Sequence, residues 1–330
     1  MRIIFFLILS LLGCSPKMGI IEKKEFVLGT LGEVICVGNR DLCRESVKRA
    51  FQEMERLEDI LSYFKKNSDI NLLNNSQGSP VSVKEETFEV VKKAIEISQK
   101  TEGAFDITVS PLLKIWGFYE REKPFPEVPL ELIKEKLPLV GGDKIILEEM
   151  KKTVTLKNSS MAIDLGGIAK GYIVDRAIDI LKKAGVKNAL VNLGGDIFCL
   201  GEGKDKRGWR VGIQDPLNSQ KIVATLNLKD KAIATSGQYE NFREIQGKRF
   251  GHIIDPKTGY PVENNILSVT IVADNCLTAD ALATAIFVLG KEKGESVLQD
   301  FSAEAVIITR AEKGEHLWVS PGLKGKISYY

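Results

Sequence analysis

The sequence predicts an α+β fold, a largely antiparallel sheet with packed helices, on three observations. Apolar residues recur at helical spacing early in the chain, at Val47, Ala50, Phe51, Met54, Leu57 and Leu61, and again at Phe88, Val91, Ile95 and Ser98. Short β-branched runs crowd the second half, often separated by no more than a hairpin turn. Strand and helix patterns do not alternate regularly enough for parallel winding, and no internal repeat or low-complexity linker divides the chain.

Taken in order, Arg2 and the apolar run 3–12 are too short for a permanent membrane span and read as a secretory signal. Leu11, Leu12 and Gly13 before Cys14 resemble a bacterial lipobox. Residues 1–13 are then a signal peptide, Cys14 the lipidated first residue of the mature chain, 14–25 a polar tether and 26–330 one globular domain. A strand is expected at 33–37, then the two amphipathic helices, a short surface helix in the proline-interrupted stretch 124–138, and two strands joined by a turn within 144–156. The run 161–163 is strand-like, and 166–185 is helical up to Gly185. Strands follow at 189–200, 209–213, 222–228, 232–235 and 267–273, then a helix at 279–289 stopped by Gly290, and a last strand at 305–309.

A chain of 330 residues with 44% hydrophobic composition can bury a full core. Its 46 basic and 44 acidic residues leave a net charge of +2 with no basic block, which gives no reason to expect nucleic acid as a partner. An anionic ligand has to be met by local groups. After Cys14 the cysteines are Cys36, Cys43, Cys199 and Cys276, and no metal-binding spacing connects them. Cys36 and Cys199 lie in apolar runs and read as small buried hydrophobes. Spacing does not decide whether Cys36 pairs with Cys43.

Chemistry concentrates in three places. Asp280 and Thr284, four residues apart at a helix start, put a carboxylate and a hydroxyl on one face, as a hard cation bound together with phosphates would require. Asp164, Gly166, Gly167, Lys170 and Gly171 form a glycine-rich helix entry at which a phosphate can approach the backbone, although it is neither a Walker loop nor a dinucleotide fingerprint. Lys170 there is either a phosphate contact or a solvated side chain. His252, one of two histidines, sits beside the turn formed by Asp255, Pro256 and Gly259, where an imidazole can act as a base near neutral pH. His316 reads as surface. Glycine turns at 192–196 and 235–237 either line the same cleft or are ordinary hairpin turns. Ala104, Phe105 and Asp106, with the aromatic stretch 111–118, are either a cleft wall or core.

These blocks, taken together and in order, resemble the ApbE family of bacterial FAD:protein FMN transferases. The likeness extends to Gly29 and Thr30, to Leu61, Ser62 and Tyr63, and to Asn67, Ser68, Asp69 and Ile70. It implies an ApbE-like, T-fold-like architecture and an enzyme that moves FMN from FAD onto a threonine or serine hydroxyl of an acceptor protein, with Mg²⁺ as cofactor and AMP as leaving group. Asp280, Thr284 and the Ala169 carbonyl would hold the metal, and His252 would be the catalytic residue. Leu28, Tyr63, Ala104, Phe105, Asp106, Asp164, Lys170, Ser236, Gly237 and Ile254 would contact FAD. The chain departs from the family pattern at Leu28, where many members have methionine, and at Gln238, where an acidic residue before Tyr239 is common.

The implied partners are FAD, a flavinylated acceptor protein and, through Cys14, a membrane; the implied location is the cell envelope, outside the cytoplasm. Two other readings compete. In one, water replaces the acceptor and the site is an FAD pyrophosphatase giving FMN and AMP. In the other, the chain is a non-enzymatic FAD-binding lipoprotein, for which a metal and a base around the scissile bond would have no use.

Overall fold

The computed structural model describes residues 18–120, 127–238, 241–311 and 314–330. Its frame is an eight-stranded antiparallel sheet in the order β1-β2-β6-β7-β10-β13-β14-β15. These strands are β1 (Met18–Val27), β2 (Thr30–Asn39), β6 (Asn188–Leu193), β7 (Asp196–Leu200), β10 (Lys231–Gly237), β13 (Ile266–Ala273), β14 (Glu304–Arg310) and β15 (Glu315–Val319). A small sheet joins β3 (Val81–Ser82), β5 (Thr153–Leu156) and β4 (Ile145–Glu148). A second joins β16 (Ile327–Tyr329), β9 (Asn218–Leu228) and β8 (Trp209–Asp215), and β11 (Phe242–Ile245) with β12 (Lys248–Gly251) makes a separate hairpin. The helices are α1 (Arg40–Leu61), α2 (Asp69–Asn74), α3 (Glu85–Lys100), α4 (Ser110–Ile115), α5 (Leu130–Lys136), α6 (Ala169–Lys183), α7 (Cys276–Leu289) and α8 (Lys291–Asp300). The expected α+β class with antiparallel sheet is what forms.

Strand alternation sorts the core into two layers. Ala232, Ala234, Val269 and Ile271 face the layer that contains α1, α6 and α7. Ile233 and Val272 point the other way and pack with Val211, Ala224 and Leu226 of the small sheet. A third cluster, around Leu112, Trp116, Ile133, Ile245 and Ile254, ties the hairpin to the 104–145 region.

Helix α1 begins where the Asn39 side chain accepts from Asp41 N and Leu42 N, both at 3.0 Å. Val47, Ala50, Phe51, Met54, Leu57 and Leu61 are its buried stripe, as their spacing requires. The Cys36–Cys43 disulfide joins β2 to this helix, so Cys36 is not the free buried hydrophobe its apolar surroundings imply. Cys199 is buried and free.

Helix α7 is buried over most of its circumference, with Ala279, Ala281, Leu282, Ala283, Ala285, Ile286 and Phe287 all inside. It starts at Cys276 rather than Ala279, because Asn275 caps it by accepting from Thr278 N at 2.8 Å. Asp175 of α6 accepts from Cys276 N at 2.7 Å and Leu277 N at 2.9 Å, and burial pushes this carboxyl up to about 6. The two helices cross where a Cβ on Gly171 would meet the Cys276 carbonyl and lie 2.8 Å from Leu277 Cα. Gly171→Ala is therefore expected to force α6 and α7 apart at a loss of roughly 1–3 kcal/mol. A thermal melt checks it, and an unchanged midpoint would show that the crossing is slack.

Several expectations need correction. Strand β1 takes up residues 18–25 of the expected tether, its mixed charged and apolar sequence being suited to an edge strand that pairs with β2 in full register. Residues 161–163 form no strand; the Asn74 side chain brackets Ile163 instead, donating to its carbonyl at 2.9 Å and accepting from its N–H at 2.8 Å. The strand at 304–310 is followed by two more, β15 and β16. Cys14 and Pro124 lie outside the described residues.

Candidate active site

A cavity of about 320 Å³ opens where α6, α7, the end of β10, the 104–119 segment and the loop after β12 meet. It is lined by Ala104, Phe105, Asp106, Asp164, Lys170, Ser236, His252, Ile254, Asp280 and Thr284, so most of the residues singled out from sequence converge on one cleft. Leu28, Tyr63, Ala169 and Gly237 do not line it. Leu28 occupies the β1–β2 turn with φ of 53°, packed against the main core. Gly237 ends β10 next to Ser236, and Ala169 is the buried first residue of α6.

Tyr63 stands one ring behind the wall. It stacks on Tyr119, with centroids 4.3 Å apart and planes at 20°, and Tyr119 lines the cleft beside the exposed Phe64. Tyr119 OH donates to Asp164 Oδ2 at 2.6 Å, while Gly166 N donates to Oδ1 at 2.6 Å. Burial raises the Asp164 carboxyl above its ordinary value. Asp106 turns inward: its oxygens accept from Thr108 N at 2.8 Å, Thr108 Oγ1 at 2.5 Å and Gly142 N at 2.9 Å. Its carboxylate thus fixes the turn that presents Ala104 and Phe105. Trp116 is core, donating from Nε1 to Gly259 O at 2.9 Å and so pinning the 255–259 turn below His252.

His252 follows β12 and is half-buried in the cleft wall. Its Nδ1 lies 3.1 Å from Asn241 O. A carbonyl can only accept, so Nδ1 carries the proton and Nε2 keeps its lone pair. Burial first, and the Lys170 charge in addition, lower the imidazole below its usual value, outweighing the Asn241 contact. The ring is thereby a neutral base at neutral pH.

Across the cleft, Asp280 Oδ2 accepts from Gly171 N at 3.1 Å, and Thr284 Oγ1 is 3.2 Å from Ser236 Oγ. Burial and the neighbouring Asp196 carboxylate hold the Asp280 carboxyl well above its ordinary range. Lys170 and the Gly171 N–H already favour the Asp280 anion, and a divalent cation would favour it further. No group of three or more His, Cys, Asp or Glu side chains is placed to hold a metal among the described residues. The donor set would be Asp280, the Thr284 hydroxyl and the Ala169 carbonyl, with phosphate oxygens of a ligand making up the number; this suits Mg²⁺ and not zinc.

The sequence profile of the ApbE family matches residues 28–307. The chain belongs to the ApbE family. A protein of Haemophilus influenzae named FAD:protein FMN transferase is 33% identical over 93% of this chain and 91% of its own length. One of Vibrio cholerae with the same name is 35% identical over 83% and 82%. Among solved structures, the ApbE protein of Thermotoga maritima superimposes with a TM-score of 0.85 at 34% identity, covering 93% of this chain and 99% of that one. The flavin transferase ApbE from Vibrio cholerae gives 0.82 at 31%, covering 94% and 100%. Family membership thus agrees with the resemblance carried by the motifs, and with the antiparallel architecture.

Sequence reasoning missed Phe64, Tyr119 and Asn241 in the lining, and Asp196 just behind it. Only Asp196 had a signal, as the last residue of the 192–196 glycine turn, which itself does not line the cleft while Thr235 and Ser236 do. Tyr239 lies outside the described residues.

Proposed function

We propose that this chain transfers FMN from FAD to a threonine or serine hydroxyl of an acceptor protein in an Mg²⁺-dependent reaction that releases AMP. The observation that carries the reading is the His252 tautomer: an Nε2 lone pair in the same cleft as Lys170, Asp280 and Thr284. His252 takes the acceptor's hydroxyl proton as that oxygen bonds to the phosphorus of the FMN half. The P–O bond to the adenylate phosphate breaks, and AMP departs with that oxygen. Lys170 meets pyrophosphate charge from the start of α6. Asp280, Thr284 and Ala169 would hold the metal, which when bound neutralises the pyrophosphate and polarises its phosphorus. Phe105, Phe64 and Tyr119 offer apolar and aromatic surface to the flavin ring.

The chain is further proposed to work in the cell envelope outside the cytoplasm, anchored through lipid on Cys14. The Cys36–Cys43 disulfide supports this, since such bonds persist in oxidising compartments. Incubating the mature chain with FAD, Mg²⁺ and candidate envelope redox subunits is expected to add one FMN-sized mass to a subunit and release an equal amount of AMP. AMP without any adduct would instead establish a pyrophosphatase, and bound FAD with neither product a storage protein.

A further inference from the structure

The sequence contains no basic block, but the fold assembles one. Strand register aligns Met18 of β1 with Asn39 of β2, Val37 with Asn188 of β6, Ala189 with Leu200 of β7, and Cys199 with Lys231 of β10, so these residues share one end of the sheet. The segments that meet there are 39–44, 182–188, 201–208 and 229–231. Gly201 N donates to Asp230 Oδ1 and Glu202 N to Asn188 Oδ1, both at 2.8 Å, and Arg40 lies against Gly19. With Asp274, which pairs with Lys231, these segments carry ten basic and five acidic side chains, on a chain whose net charge is only +2. Arg44, Lys229 and Lys231 are taken up in ion pairs. Arg40, Lys183, Lys187, Lys204, Lys206 and Arg207 are exposed and make none among the described residues. Met18, Ile20 and Leu42 add exposed apolar surface at the β1 side of this end.

Chain length says what meets this surface. Met18 is four residues beyond Cys14, and four residues span at most roughly 14 Å, so a lipid on Cys14 keeps this end of the sheet within that reach of a bilayer. Exposed cations beside apolar side chains suit anionic headgroups. The cleft lies at the other end of the strands, where Ser236 near the close of β10 lines it, and β6 alone sets the two ends roughly 17 Å apart. We propose that the basic end of the sheet rests on an anionic phospholipid surface and leaves the cleft at the end away from the bilayer, accessible to an acceptor protein. The inference rests on the lipid anchor proposed above.

The test uses the mature chain with Cys14 unacylated and measures its co-sedimentation with vesicles of phosphatidylcholine containing about one-third phosphatidylglycerol, at about 0.1 M salt. Lys183→Gln, Lys187→Gln and Lys206→Gln combined are expected to weaken binding by at least about tenfold. Lys134→Gln, Lys248→Gln and Lys257→Gln combined remove the same charge elsewhere and are expected to leave affinity within about twofold. No binding by the wild-type chain, equal losses in the two variants, or equal affinity for pure phosphatidylcholine overturns the proposal, as does a chain that ignores the vesicles yet binds a soluble polyanion. For the acylated chain in the same vesicles, amide exchange is expected to slow over 182–188 and 201–208 and to stay unchanged over 241–251; slowing at 241–251 overturns the placement. Mass spectrometry of the chain isolated from membranes reads the anchor separately. A Cys14 without lipid overturns that reading, and this placement with it, even where the vesicle result is as expected.

Discussion

His252→Asn is expected to slow FMN transfer by about 10²–10⁴-fold, the usual contribution of a general base, while FAD affinity stays within a few-fold. Asparagine can still donate to Asn241 O from its amide, but it offers no basic nitrogen. The sign of the pH effect follows from the wall around the ring. Burial and Lys170 disfavour the imidazolium, so the wild-type rate should hold through neutrality and fall only below the ordinary histidine value of 6.5. Protonation there also favours the unfolded chain, in which the histidine is solvated, so stability falls over the same window and a melt at each pH separates the two effects. The variant should lose the acidic limb along with the rate. A variant with wild-type rate and profile would leave His252 a structural residue and pass the deprotonation to another group, such as Asp255.

Asp280→Ala is expected to lower transfer by at least about 10²-fold at limiting Mg²⁺, since it removes the one carboxylate of the proposed metal seat that lines the cleft. FAD binding should suffer less, because Phe64, Phe105 and Tyr119 lie elsewhere on the wall. Excess Mg²⁺ should recover part of the rate, as the Thr284 and Ala169 oxygens and the phosphates remain. Titrating Mg²⁺ against initial rate makes the comparison. The same rate and the same Mg²⁺ requirement as wild type would remove Asp280 from the metal assignment.

The readable parts of this chain were those whose geometry is local. Periodicity located α1 and α3 because each buries a single stripe, and the hairpin-like runs marked β6, β7, β10 and β13 because a two-residue turn or a glycine ends them. Strand β1 escaped notice since Ile20 and Ile21 are adjacent and Glu22, Lys23, Lys24 and Glu25 follow as a block, with no two-residue alternation to separate it from a polar tether. The cleft's ionic residues were visible as motifs, while the inward turn of Asp106 depends on Gly142, thirty-six residues away, and no local pattern records that. Tyr119 was hidden for the same reason: its value lies in reaching Asp164 across forty-five residues of sequence. The Leu28 and Tyr63 expectations came from family likeness alone, and the structure sets both outside the cavity lining.

The crossing of α6 and α7 has a consequence for how such a protein can diverge. Asp175 secures the start of α7 while Asp280 secures the start of α6, so each helix supplies the other's terminal restraint within a buried layer. Chemistry seated there can tolerate little drift. Phe64 and Asn241, by contrast, stand on connecting segments at the mouth of the cavity. Under the proposed function, substitutions at that mouth are expected to disturb the packing of the floor less than substitutions at the helix crossing. Amide exchange offers a direct view of the division: the N–H groups of Gly171, Cys276 and Leu277 should exchange among the slowest in the chain, and those of Phe64 and Asn241 orders of magnitude faster. Comparable rates at floor and mouth would mean that the two are not mechanically distinct.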